Sequence, residues 1–315
     1  MTQVLLNTLF PIFAGLLLGY IAGRRGTMDN LNVRNLIVLV MSFAIPCALF
    51  STIIGSSRAD LLRHIPAALM ITLVFCALYL ISYIWARRRR GLSLSDASVL
   101  ALTIGFPNSA AIALPLFRGA YGPEPTVTAA LSIVIGSITI SPLTLALLEA
   151  DKHSGGSDIS ATQILHGFPR ALLHPVVWAP LVALVVAFFD LHLPSFVAGT
   201  LTTLGSAATG SALVLTGLVV SSQRFRFTGG VAITTLLKLV GQPLFALCMM
   251  SLFRMDHNDL QNITVISAIP GGFFGMVFGK GFNATPEIAS SGLIGTYLFG
   301  WATLALWMLI TAKFF

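Results

Sequence analysis

Charge is scarce in this 315-residue sequence: 9% of its residues are Asp, Glu, Lys or Arg, against 56% hydrophobic. Soluble domains carry near ~25% charged residues, and so few charges cannot cover the surface of a soluble fold of this size. Acids inside apolar runs are scarcer still. All eleven Asp and Glu residues fall in polar segments or at the ends of apolar runs. Proton relays and sodium sites in membranes usually use buried carboxylates, so a sodium–proton antiporter and a cation channel are disfavoured. Cysteine is limited to Cys47, Cys76 and Cys248, each in an apolar segment and none in a C-x-x-C pair. That pattern supports neither disulfides nor structural zinc and leaves packing as small apolar residues.

Catalytic constellations are missing as well. The six histidines lie at or near the ends of apolar runs, with no H-E-x-x-H or similar ligand spacing. An intramembrane enzyme needs a nucleophile, a metal cluster or an acid–base pair at depth, and none is visible. The expectation is a non-enzyme with no cofactor and no metal. FGKGFN around Lys280 lacks phosphate-loop spacing, and the sequons at Asn262 and Asn283 sit at or near span ends and read as chance. The net charge of +7 does not indicate nucleic acid: basic residues flank apolar runs, and the cluster Arg87 to Arg90 has no aromatic or polar platform beside it.

What is present is a series of apolar runs of about 20 residues, the length a helix needs to cross ~30 Å of hydrocarbon. Ten spans are expected, at 3–23, 33–55, 65–86, 95–118, 126–148, 171–190, 196–222, 229–253, 260–281 and 287–312. The chain therefore reads as an all-α polytopic membrane protein with the lipid bilayer as partner. The first run lacks a basic leader and is followed by Arg24 and Arg25, which favours a retained helix over a signal peptide. With ten spans, twelve basic residues fall on one side and five on the other, with Lys238 inside a span. That bias predicts both termini outside.

Ten spans divide into five and five: a first repeat at 1–149, a Gly/Ser-rich linker at 150–170, and a second repeat at 171–315 of inverted topology. Helices 4 and 9, at matching positions, carry GFPNSAAIALP and SAIPGGFFGMVFGKG. Matching interrupted helices are the sequence cue for a transporter site. Proline removes a donor and clashes with the preceding turn, and broken backbone survives at membrane depth only against protein or a wet cavity. The expectation is that helices 4 and 9 cross at these breaks. Pro107, Asn108 and Ser109 on one side and Pro270, Gly271 and Gly272 on the other are the candidate substrate-binding residues. Half-helix N-termini there suit a carboxylate, and Asn108 can donate a side-chain hydrogen bond.

Lys238 lies about ten residues into its span, roughly 14 Å deep at 1.5 Å per residue. It is placed either against an anion, against helix ends in the core, or snorkelling to the surface. Gln242, one turn on, joins the candidates. Asn7, Ser42, Ser137, Thr139 and Ser141 are weaker candidates, since hydroxyls in membrane helices more often bond their own helix or a neighbour. Gly15, Gly19 and Gly23 form a small-residue stripe that reads as close helix packing, with a homodimer interface as one use.

At the two breaks the sequence resembles the auxin efflux carrier family. GFPNSAAIALPLFRGAYG (Gly105 to Gly122) and SAIPGGFFGMVFGKGFN (Ser267 to Asn283) are similar to the family's two crossover segments. FAIPCALF (Phe43 to Phe50) and HPVVWAPL (His174 to Leu181) extend the likeness over nearly the whole chain. FPNSAAIALPL, LLKLVGQP and PGGFFGMVFGKGF look closest to bacterial malonate transporters. The resemblance implies a ten-helix inverted repeat with scaffold and transport domains, an elevator-type motion, a carboxylate substrate at the crossover, homodimers, and a bacterial cytoplasmic (inner) membrane. Pro107, Asn108 and Pro270 match the crossover positions. Gly271 stands where plant members commonly have a polar residue. The polar helix-3 groups of plant carriers have no clear match in this chain. The expected function is secondary active transport of a small organic anion, malonate first. A sodium-coupled organic-anion symporter of the bile-acid type is one alternative, and a membrane sensor without catalytic activity is the other.

Overall fold

The computed structural model describes residues 2–55, 58–154, 169, 172–191, 193–249, 253 and 255–314. Most of the expected 150–170 linker lies outside the described residues, as do Arg170 and Arg254 of the charge count. The described residues form helices joined by short connections. The helices are α1 (Thr2–Arg24), α2 (Arg34–Ile54), α3 (Ile65–Arg90), α4 (Leu94–Gly105), α5 (Ser109–Ala120) and α6 (Pro125–Lys152, bent at Thr139). They continue with α7 (Pro175–Phe188), α8 (Ser195–Ser221), α9 (Gly229–Cys248), α10 (His257–Ala268), α11 (Phe274–Gly281) and α12 (Glu287–Phe314).

The expectation of ten full crossings is not met. Six helices among the described residues, α2, α3, α6, α8, α9 and α12, are long and apolar enough to cross a membrane. The physical reason is clearest at the breaks. The expected span 95–118 is two short helices, α4 and α5, and 260–281 is two more, α10 and α11. A 12-residue helix rises only ~18 Å at 1.5 Å per residue, well short of the hydrocarbon thickness. The expected span 171–190 is likewise a 14-residue helix, α7.

Local chemistry explains the boundaries. Gly91, at φ +63°, ends α3 in the left-handed conformation that suits glycine. Ser93 then caps α4, its hydroxyl accepting from the Asp96 N–H at 3.0 Å. Thr228 caps α9 in the same way through Val231. Three helices contain a π-helical turn: Leu39–Ala44 in α2, Ser109–Ala113 in α5 and Leu237–Gly241 in α9. Each ends two residues before a proline, at Pro46, Pro115 and Pro243. Proline supplies no N–H and crowds the turn before it, so a widened turn absorbs the misfit.

The helices pack in two groups. In one, α1 lies along α8, and α8 and α7 both pack on α2. In the other, α3, α4, α6, α9, α10, α11 and α12 surround one another, with α4 against α3, α6 and α11, and α10 against α9, α12 and α6. Helix α5 meets both groups, lying on α6 and also against α1 and α8. The glycine stripe of α1 is consumed inside the chain. A Cβ on Gly19 would sit 2.3 Å from the Val214 carbonyl oxygen, and one on Gly217 would sit 2.1 Å from that of Leu16. The stripe brings α1 and α8 backbone to backbone and is not a surface for a second copy. Phe10, Leu17, Leu18, Leu80, Val185, Phe299 and Trp301 are exposed on the outside, as a lipid-facing surface requires.

Candidate functional site

The two breaks meet in the interior. Pro107 and Gly271 form an isolated antiparallel bridge. The Asn108 N–H donates to the Pro270 carbonyl at 2.9 Å, and the Gly272 N–H donates to the Phe106 carbonyl at 2.7 Å. Each unwound segment thus satisfies the other's backbone, which membrane depth demands. Asn108, at φ −75° and ψ 60°, is the centre of an inverse γ-turn closed by the Ser109 N–H on the Pro107 carbonyl at 2.7 Å. Glycine is needed opposite it. A Cβ on Gly271 would lie 2.5 Å from the Thr103 carbonyl oxygen, and one on Gly272 would lie 2.8 Å from that of Phe106. Their role is to permit close backbone approach.

Side chains from α8 and α12 complete the junction. Asn108 is fully buried, and its Nδ2 donates to the Tyr297 hydroxyl at 2.7 Å and to Thr216 Oγ1 at 3.2 Å. The Tyr297 hydroxyl donates onward to the Gly271 carbonyl at 2.9 Å, and the Gly271 N–H donates to Thr296 Oγ1 at 3.2 Å. Phe106 packs against Phe75 and Phe274 and lies over Gly136, where a Cβ would come within 2.3 Å of its ring. Asn108 Oδ1 and Ser109 Oγ are buried and have no partner. The hydroxyls of Ser137 and Ser141, beside the bend of α6 that packs on α5, are in the same condition. Thr139 between them bonds its own helix, at the Ile135 carbonyl. A buried polar atom without a partner costs about 1–3 kcal/mol, so each of these atoms is open to a polar guest.

Lys238 and Gln242 do not join the orphans. Lys238 is fully buried in α9 and reaches neither surface. Its Nζ donates to Gln242 Oε1 and, at 3.0 Å, to the Ser267 carbonyl. Gln242 Nε2 donates to the Gly105 carbonyl at 3.0 Å. Of the expected site residues, the structure therefore brings Pro107, Asn108, Ser109, Pro270, Gly271 and Gly272 to one junction. It places Lys238 and Gln242 behind that junction, on the ends of α4 and α10. Thr216, Tyr297 and Thr296 escaped sequence reasoning, because a lone hydroxyl in an apolar helix carries no local signal of what it faces.

Two cavities lie away from the junction, lined by different residues. One of about 640 Å³ is lined by Arg34, Met41 and Ser42 of α2, His174, Leu145, and Phe278 and Lys280 of α11. The other, of about 700 Å³, is lined by Arg63, His64, Tyr121, Thr128, Asp256 and Asn262 among others. Asn108 lines neither.

Lipid-facing helices around paired broken segments make an integral membrane protein of the transporter class. The chain belongs to the family described as "Membrane transport protein", which it matches over residues 4–308, and so to the auxin efflux carrier group of transporters. Family membership makes it a transport protein and not an enzyme. It is 27% identical over 314 residues to the Escherichia coli (strain K12) protein named "Uncharacterized transporter YfdV", with 99% of each chain covered. An "Uncharacterized transporter" of Methanothermobacter thermautotrophicus is 26% identical over 96% of this chain and 97% of its own. The "Lysosomal cholesterol signaling protein" of Mus musculus is 25% identical over 92% of this chain, which spans 35% of that protein.

Proposed function

We propose that this transporter is a secondary carrier of a small organic anion, a carboxylate of malonate type, bound at the junction of the two breaks. The observation that carries the reading is the partnerless Ser109 hydroxyl, a free donor buried at the junction where α5 lies against α8. The hydroxyls of Ser109, Ser137 and Ser141 are donors that can bind a carboxylate without a formal charge, and the Asn108 amide can join them by releasing Tyr297 or Thr216. Sign selectivity is supported by the absence of mid-span carboxylates in the sequence. Arg34 and Lys280 on the 640 Å³ cavity also favour anions. Malonate itself rests on the likeness of the crossover segments.

Motion of an elevator type is supported by the two packing groups. The junction sits on one of them and touches the other through α5 and the Asn108–Thr216 bond. Residues 1–149 and 171–315 are taken as two halves of opposite orientation, on the strength of the antiparallel pairing of their breaks. A bacterial inner membrane is the proposed location, on the likeness of the crossover segments. A homodimer is placed on the outer face of α8. There Thr203, Ser206 and Gly210 are exposed at helical spacing, and the Thr203 and Ser206 hydroxyls are turned back on their own helix. Uptake of labelled malonate into proteoliposomes tests the substrate. Saturable flux is expected; normal flux of another organic acid with none of malonate would sink the substrate assignment.

A further inference from the structure

The arginines Arg87 to Arg90 play no part in the junction, and the sequence beside them offers no aromatic platform. The fold brings one from elsewhere. Helix α3 ends on these arginines, and the Arg90 guanidinium lies against Gly230 in the first turn of α9. A Cβ on Gly230 would stand 3.2 Å from Arg90 Cζ and 2.7 Å from Ile288 Cδ1 of α12. Just before Gly230 runs the 222–228 connection from α8, which carries Arg224, Phe225, Arg226 and Phe227. Phe225 and Phe227 turn to the same side, with ring centroids 6.4 Å apart, and are 42% and 68% exposed. Arg226 between them points instead to α12, its Nε 3.0 Å from Glu287. Arg87 is spent on the Leu92 carbonyl. Arg88, Arg89, Arg90 and Arg224 are exposed and have no carboxylate partner among the described residues. Because α3, α8, α9 and α12 are all long enough to cross a membrane, their ends here lie where crossing helices leave the hydrocarbon. An exposed aromatic pair beside unpaired cations at that depth meets acyl chains on one side and phosphates on the other.

We propose that this patch binds an anionic phospholipid, with Arg224 and the α3 arginines on its phosphate and Phe225 and Phe227 against its acyl chains. Charge decides the partner. Guanidinium groups hold phosphate through paired N–H donors, and a zwitterionic headgroup brings its own cation to the same place and offsets that attraction. A free anion gains nothing from two phenyl rings, whereas a lipid uses both halves of the patch. The connection also joins the two packing groups, since α8 belongs to one and α9 to the other. A lipid held there sits at the joint between them. The site is separate from the junction and from the identity of its substrate.

The test is thermal unfolding of the full-length protein in detergent micelles holding phosphatidylglycerol, phosphatidylcholine of the same acyl chains, or inorganic phosphate without lipid. The wild type is expected to melt several degrees higher in phosphatidylglycerol than in phosphatidylcholine, saturably, and to ignore phosphate. Added salt should shrink the difference. Arg88→Gln/Arg89→Gln/Arg224→Gln should lose most of the difference while melting like the wild type in phosphatidylcholine. Arg88→Lys/Arg89→Lys/Arg224→Lys, which keeps the charge, should retain most of it. Phe225→Ser/Phe227→Ser, with every charge in place, should need several-fold more phosphatidylglycerol to reach the same shift. Equal melting in the two lipids, a full phosphatidylglycerol response in the glutamine variant, or the same shift from phosphate alone would each overturn the proposal. No substrate is added, so the result stands whether or not malonate is carried.

Discussion

At the scale of single residues, the junction is held by hydrogen bonds that can be removed one at a time. Tyr297→Phe deletes the donor to the Gly271 carbonyl and one acceptor of Asn108. A buried carbonyl left unpaired costs about 1–3 kcal/mol, so a lower melting temperature is expected, measured in detergent. Asn108→Ala removes both side-chain bonds and the orphan acceptor together; malonate flux in proteoliposomes should fall at least ~10-fold, on the order of one lost hydrogen bond. Unchanged flux and binding would count against the crossover as the site. Outside the spans, Asp29 accepts backbone N–H bonds from Asn32 and Leu31, which hold its carboxyl below the usual carboxylate range. A depressed pKa stabilises the fold above the ordinary value near ~4, and that contribution is lost as pH falls through the lower folded value. Asp29→Asn should therefore lower the melting temperature slightly at neutral pH and flatten the acid limb of the profile below about pH 4, where the two proteins converge.

At the scale of elements, the question is which glycines are structural. Gly19 and Gly217 sit where α1 and α8 touch through backbone, whereas Gly199 faces open space. Gly19→Val is expected to separate the helices and destabilise by at least about 1–3 kcal/mol, the usual cost of overpacking. Gly199→Ala, on an exposed helix face, should be neutral or stabilising by up to about 1 kcal/mol. Melting curves of the two variants decide it. The same elements show how far the sequence was legible. Both breaks were readable because proline and paired glycines are local signals of backbone that cannot continue a helix. The number of full crossings was not, because apolar runs of equal length conceal where a helix stops. The stretch 260–281 is long and apolar enough for a span but belongs to two helices, α10 and α11, each too short to be one. The stripe of Gly15, Gly19 and Gly23 was readable as close packing, but spacing alone does not say whether the neighbour is another chain or another part of the same one.

For the whole molecule, the proposed motion is a sliding of one helix group against the other, and α5 lies on the boundary. A Cβ built on Gly119 of α5 stands 3.6 Å from the Thr8 Cβ of α1, close to the mean ~3.8 Å of a disulfide. With Cys47, Cys76 and Cys248 replaced by alanine, Thr8→Cys/Gly119→Cys should cross-link on oxidation. Anion flux is then expected to stop and to return on reduction, as read in proteoliposomes. Full flux through the cross-linked protein would exclude a displacement of α5 along α1.

The sequence by itself determined that this protein lives in a bilayer, that it is helical, that it carries no acid in the middle of an apolar run, and that its backbone breaks at Pro107 and Pro270. Each of these follows from composition or from a residue's own covalent limits, which no neighbour can change. Only the tertiary structure decided that the two breaks pair as an antiparallel bridge, that Thr216 and Tyr297 hold Asn108, and that Lys238 ends on the Ser267 carbonyl. Those partners lie up to 189 residues apart in the chain. Their meeting depends on how apolar helices of nearly equal length stack, which local pattern leaves open.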